Sequence, residues 1–187
     1  MNVYDFDKTV INADSTVLFL EYCAARYPRL FKMKPGRKLS AALAYLSGRE
    51  TPERMKEELF SFLPYIADIG ALVCDFWDRN ECRVEPWYRE VSRSDDLIIS
   101  ASPAFIVRGL ADRLGVSLIA TEMSETSGRI SGVNCRGEEK LRRFRLEYPG
   151  CGIDRFYSDS LSDAPLASEA KEAFLIRKHE PVPWPEQ

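Results

Sequence analysis

The chain has 187 residues and a net charge of -3, with 45% hydrophobic and 29% charged residues. Those values suit one globular domain or a core with an insertion, give no whole-molecule reason to expect nucleic acid, and contain no apolar run of the roughly 18 residues a membrane span needs. Five widely spaced cysteines without a Cys-x-x-Cys pair read as reduced thiols of a cytoplasmic protein, and a single histidine, His179, disfavours His-based triads and multi-histidine metal sites.

Met1 to Tyr4 is a short extended start that runs into Asp5-Phe6-Asp7-Lys8-Thr9. From Asp14 to Arg93 the apolar period is helical, with helices expected at Val17 onward, Leu39–Leu46, Met55–Phe62 and Ile66–Asn80, separated by Pro35-Gly36, Gly48 and Pro64. Leu97-Ile98-Ile99-Ser100 then reads as a buried parallel strand. Ser102-Pro103 predicts a serine N-cap and a helix from Pro103 to Leu114 that stops at Gly115. Val116–Thr121 is the next strand, Gly128–Gly132 a hairpin, Gly137–Tyr148 a helix, Ile153–Tyr157 a strand, Leu161–Lys171 a helix and Ala173–Arg177 a last strand. Strands alternating with helices predict an α/β core, Rossmann-like and three-layered, with a parallel sheet. The organisation expected is a core made of residues 1–13 and 94–187, with an all-helical cap inserted at 14–93.

Four patches fall at strand ends or the starts of following helices, where open α/β sheets bind ligands: Asp5/Asp7, Ser100-Ala101-Ser102, Lys140, and Asp159 with Asp163. Asp5, Asp7 and Asp159 supply hard oxygen donors suited to Mg²⁺ and too few soft ones for zinc. Ser100, Ala101 and Lys140 are the candidate phosphate-binding residues, because a carboxylate nucleophile meets an anionic phosphoryl group only where cations and N–H donors offset the repulsion.

Asp5-Phe6-Asp7-Lys8-Thr9 resembles the Asp-x-Asp-x-Thr motif of the haloacid dehalogenase superfamily. Ser100 resembles its second motif, Lys140 its third, and Ser158-Asp159-Ser160-Leu161-Ser162-Asp163 its fourth. Ser100-Ala101-Ser102-Pro103 and Asn134 to Lys140 are most similar to the phosphoserine-phosphatase-like branch with a helical cap. The resemblance implies a Mg²⁺-dependent phosphomonoester hydrolase acting on a small organic phosphate through an aspartyl-phosphate on Asp5. Asp7 would be general acid, then base, and would bind metal through its carbonyl. Asp159 would be a metal ligand, Asp163 would orient Lys140 or a metal-bound water, Thr9 and Ser102 would support the loops, and Asp14 would meet the substrate from the cap side. No counterpart of the branch's cap arginine is evident around Gly48-Arg49-Glu50, so phosphoserine is not expected to be the best substrate.

Two rival functions use the same residues: a phosphotransferase or mutase passing the aspartyl-phosphate to an alcohol, and a non-catalytic phosphate-sensing module. Cys23 to Arg29 has the Cys-x5-Arg spacing of cysteine phosphatases but lacks the glycines that would let backbone N–H groups wrap a phosphate. Between Glu21 and Glu50 lie seven cations (Arg26, Arg29, Lys32, Lys34, Arg37, Lys38, Arg49) and no acid. This stretch reads either as a solvated basic face or as a patch for polyanionic esters or transient membrane-surface contact.

Overall fold

A computed structural model describes residues 1–32, 44 and 47–185. The expected helix Leu39–Leu46, apart from Ala44, and the cations Lys34, Arg37 and Lys38 lie outside the described residues. The strands are β1 (Asn2–Tyr4), β2 (Leu97–Pro103), β3 (Ser117–Thr121), β4 (Ile153–Ser158), β5 (Ala170–Arg177) and β6 (Glu180–Pro183). They form one sheet in the order β3-β2-β1-β4-β5-β6, parallel except for β6. The chain starts in the middle, winds outward through β2 and β3, then returns to the other side of β1 for β4 and β5. The crevice of such a sheet opens where the winding reverses, beyond the carboxyl ends of β1 and β4.

Side-chain alternation divides the sheet into two buried faces. Val3, Leu97, Ile99, Ile119 and Phe156 point to one side, where Leu141, Phe144 and Leu166 cover them. Tyr4, Ile98 and Tyr157 point to the other, into an aromatic cluster with Phe6, Phe19, Phe60, Phe76, Trp77 and Phe105. The second cluster draws on α1 (Ser15–Arg26), on α4 (Ile69–Asn80) and on α6 (Ala104–Leu114). Between α1 and α4 lie α2 (Pro28–Lys32) and α3 (Pro52–Leu59), and α5 (Pro86–Val91) leads into β2. The helices of residues 15–91 thus share a core with a sheet face and with α6. Phe19 meets Phe105 edge-on at 5.7 Å, and the Trp77 indole donates to the Ile106 carbonyl at 2.7 Å. Among the described residues no single helix is long and apolar enough to cross a membrane.

Several sequence expectations change in detail. β2 runs on through Pro103, and α6 begins at Ala104 with no side-chain cap. The Ser102 hydroxyl donates to Asp7 instead, so it is not free to cap the helix. Gly115 does end α6, in the left-handed conformation. The stretch Gly128–Gly132 makes only an isolated bridge, Met123 to Ile130, in place of a hairpin. The helix expected over Leu161–Lys171 contracts to a 3-10 turn at Leu161–Asp163 and α8 (Ala164–Ala167), and β5 starts at Ala170. Strand β6 was unexpected. It follows a two-residue turn, Lys178-His179, with φ of 50° and 69°. Such turns ordinarily carry Asn or Gly, so the sequence held no turn signal there.

Gly128 fastens the loop after β3 to the helical segment. Its φ is +71°, and a Cβ there would lie 2.5 Å from the Phe60 carbonyl oxygen. Gly128→Ala is therefore expected to cost about 2–4 kcal/mol, combining left-handed strain with overpacking against backbone. A lowered urea midpoint with unchanged m-value checks it.

Candidate active site

The first motif is shaped by Phe6. Its ring is buried and packs edge-on against Trp77 at 6.0 Å, and its carbonyl accepts the N–H groups of Thr9, Val10 and Ile11. Anchoring the middle residue inward leaves Asp5 and Asp7 free to face the same crevice. Lys8 completes the loop at φ 55°, with its N–H on the Ala13 carbonyl. Asp5 continues from β1 and donates its N–H to Tyr157 on β4, which ties the two strands at the point where the winding reverses.

The Lys140 ammonium lies between two carboxylates, 2.6 Å from Asp5 Oδ1 and 2.7 Å from Asp163 Oδ2. It comes from the first turn of α7 (Glu138–Glu147) and is only 2% exposed. The two acids, although burial opposes the charge, hold the lysine pKa far above its ordinary value. The Ser158 hydroxyl donates to the same Asp163 oxygen at 2.8 Å. Burial pushes the Asp5 carboxyl up, and Lys140, the strongest opposing influence, only partly reverses this. Burial chiefly raises the Asp159 pKa, and the nearby Lys8 and Lys140 charges partly offset it.

Asp7 is fixed from two sides. Its Oδ1 accepts the Ser15 N–H at 2.7 Å, from the start of α1, and its Oδ2 accepts the Ser102 hydroxyl at 2.5 Å, from the end of β2. Burial, reinforced by nearby Asp14, raises the Asp7 pKa. Asp14 caps α1 through the Val17 N–H at 2.9 Å.

Asp5, Asp7, Asp14, Ala101, Lys140, Asp159 and Asp163 all line one cavity of about 250 Å³. Ser100, Ser102 and Thr9 stand behind its wall. The Ser100 oxygen accepts the Ser102 N–H at 3.0 Å, and Thr9 is fully buried with a hydroxyl that has no hydrogen-bond partner among the described residues. The same wall carries residues that the sequence did not single out. Lys56 of α3 donates to the Ala101 carbonyl at 2.7 Å and to Asn134 Oδ1 at 2.6 Å. Burial lowers its pKa. Glu53 and Glu57 on the same helix accept the N–H groups of Asn134 and Ile130, at 3.0 and 2.9 Å. These four bonds hold α3 against the site. In sequence they look like a charged, solvated helix face, since Glu53 to Glu58 alternates charges as exposed helices do.

The donor set suits a divalent metal. Asp5, Asp7, Asp14, Asp159 and Asp163 bring five carboxylates to the cavity against the cations Lys8, Lys56, Arg136 and Lys140, so its hard oxygen donors slightly outnumber its positive charges. Among the described residues no three His, Cys, Asp or Glu side chains form a ready-made metal cluster. Mg²⁺ does not need one, because it joins one or two carboxylates and completes its shell with water and substrate phosphate. Asp5 and Asp159 meet that requirement.

Residues 3–168 match the model of the haloacid dehalogenase-like hydrolase family. No curated protein matches the chain. Among solved structures, the chain is similar to a protein of unknown function from Bordetella pertussis Tohama I, with 23% identity, TM-score 0.78, and coverage of 94% of this chain and 88% of that one. It is also similar to a phosphoserine phosphohydrolase-like protein from Francisella tularensis, with 16% identity, TM-score 0.57, and coverage of 96% and 88%. A phospho-aspartyl intermediate analogue of phosphoserine phosphatase shares 14% identity at TM-score 0.53, over 92% and 84%. At these identities the likeness speaks for the fold. The family match spans most of the chain, and the chain belongs to the haloacid dehalogenase-like hydrolases.

Proposed function

We propose that this hydrolase is a Mg²⁺-dependent phosphomonoesterase that forms an aspartyl-phosphate on Asp5 and acts on a small organic phosphate. The observation that carries the reading is the buried Lys140 ammonium, 2.6 Å from Asp5 and 2.7 Å from Asp163. A fixed cation beside a buried carboxylate lets that carboxylate stay anionic while a phosphoryl group approaches.

In this mechanism an Asp5 carboxylate oxygen attacks phosphorus and the ester P–O bond breaks. Asp7, whose raised pKa suits holding a proton, delivers it to the leaving oxygen, and the Ser15 and Ser102 bonds keep its carboxyl in place. Asp7, now ionised, takes a proton from the water that hydrolyses the aspartyl-phosphate, returning Asp5 as carboxylate and releasing inorganic phosphate. Lys140 stabilises negative charge on the phosphoryl oxygens throughout. Asp5, Asp159 and the Asp7 carbonyl would hold Mg²⁺, which when bound neutralises phosphate charge and aligns the phosphoryl group for in-line attack. Residues 14–93 serve as the cap in this reading, with Asp14 and Lys56 meeting the leaving group from the cavity wall.

A panel of phosphate esters tests the function. Activity is expected with Mg²⁺, to vanish with EDTA, to return with added Mg²⁺ and to return little with Ca²⁺, whose larger and looser shell spoils in-line geometry. Full turnover in metal-free buffer would remove Asp159 from the ligand set.

A further inference from the structure

The loop that carries Asp5 and Asp7 also borders a second cavity. This cavity, about 340 Å³, shares Lys8 and Asp159 with the reaction cavity and is otherwise lined chiefly by Asn12, Arg177, Lys178 and His179. Three exposed cations, an imidazole and an amide line it against one carboxylate, and that carboxylate belongs to the candidate metal-donor set of the reaction centre. Among the described residues Lys8, Arg177 and Lys178 form no salt bridge; Lys8 acts on Asp159, lowering its pKa against burial, which leaves Arg177 and Lys178 without a carboxylate partner.

The walls are built from segments tied to one another. Asn12 N–H donates to the Arg83 carbonyl and Glu85 N–H to the Val10 carbonyl, both at 2.9 Å. His179 Nδ1 lies 2.6 Å from Glu85 Oε1, which fastens the β5–β6 turn to the same segment. Arg177 donates to the Asp159 carbonyl at 3.2 Å. Lys8 and Lys178 both occupy left-handed backbone, φ 55° and 50°, positions where glycine or asparagine is favoured. Lysine at both, beside one cavity, is a departure from local preference that places charge at its rim.

We infer that this cavity is a second anion site, contiguous with the reaction centre, that takes a phosphate group other than the one being cleaved. Three cations against one carboxylate leave the concavity net positive, and a concavity focuses that potential. Two lysines and the arginine fork match the charge and oxygens of a phosphate dianion. The group is either the second phosphate of a bisphosphorylated substrate, which rests on the phosphatase reading above, or a free phosphate-type anion bound beside the site.

The test compares wild type with Lys178→Glu, Lys178→Asn, which keeps the left-handed turn, and Lys178→Arg, which restores charge. Turnover is measured with Mg²⁺ on p-nitrophenyl phosphate, a hexose monophosphate and the matching hexose bisphosphate. Binding of inorganic pyrophosphate is measured by calorimetry in metal-free buffer. For a substrate-borne phosphate, wild type prefers the bisphosphate by about fivefold or more in kcat/KM. Glu and Asn at 178 then erase that preference, Arg keeps it, and p-nitrophenyl phosphate turnover stays unchanged. For a free anion there is no bisphosphate preference, yet pyrophosphate affinity falls about fivefold in Lys178→Glu and recovers in Lys178→Arg. Bisphosphate preference and pyrophosphate affinity that both stay within about twofold in Lys178→Glu overturn the inference. Should no ester be turned over by any variant, the phosphatase reading fails while the calorimetric comparison still decides the anion site.

Discussion

Asp5→Asn is expected to abolish turnover while leaving the protein folded. Asparagine has the same shape, and Lys140 keeps its second partner, Asp163, at 2.7 Å, so the buried ammonium is not stranded. What disappears is the nucleophilic oxygen anion, and an amide does not replace it. The expected loss in kcat is at least about 10³-fold, because no other carboxylate at the site is held by Lys140 while continuing directly from β1. Melting temperature and circular dichroism check the fold. Rapid-quench labelling with radioactive phosphate ester checks the chemistry: wild type is expected to trap acid-stable, base-labile label, and Asp5→Asn none. A folded variant that keeps a tenth of the wild-type kcat would refute covalent catalysis at Asp5.

The centre of this fold could be read from local sequence because β1 and β2 are buried and parallel, and such strands carry short apolar runs. Leu97 to Ile99 is of this kind; Ile153 to Tyr157 is apolar only at Ile153, Phe156 and Tyr157, with Asp154 and Arg155 between them. The site acids were equally legible, since each stands at a strand's end or just beyond it and the spacing within each motif is local. Residues positioned by distant parts of the chain were not. Lys56 meets Ala101 across 45 residues and Asn134 across 78, and nothing in its neighbourhood distinguishes it from the charges around it. Ser102 looked like a helix cap because caps are defined by local order, yet its hydroxyl is taken by Asp7, 95 residues away. The turn at Lys178-His179 escaped for the opposite reason, because its backbone adopts a conformation that its residues do not advertise.

Lys140 allows structural and chemical roles to be separated, because the two predict different outcomes in a double variant. Lys140→Met removes the cation between Asp5 and Asp163 and leaves buried carboxylates without compensation. Stripping one partner from such a cluster costs about 3–5 kcal/mol, which in a protein of this size lowers Tm by roughly 6–20 °C. The penalty should depend on pH. Asp5 is already raised by burial, Lys140 is the strongest influence holding it down, and its removal raises that pKa further. A buried acid with a raised folded-state pKa contributes stability fully at low pH and loses it as pH rises through the folded value. The Tm gap between wild type and Lys140→Met is therefore expected to be larger at about pH 8 than at about pH 5. Adding Asp163→Asn removes one of the stranded charges while the Ser158 hydroxyl retains an amide oxygen to bond, so Lys140→Met/Asp163→Asn should regain much of the lost Tm. Activity should not follow. The phosphoryl oxygens would still lack their cation, and kcat is expected to stay about 10²-fold or more below wild type in both variants. A double variant that recovers kcat together with Tm would reduce Lys140 to a structural counter-ion and move the stabilisation of the phosphoryl group to the other cations that line the cavity, Lys8, Lys56 and Arg136.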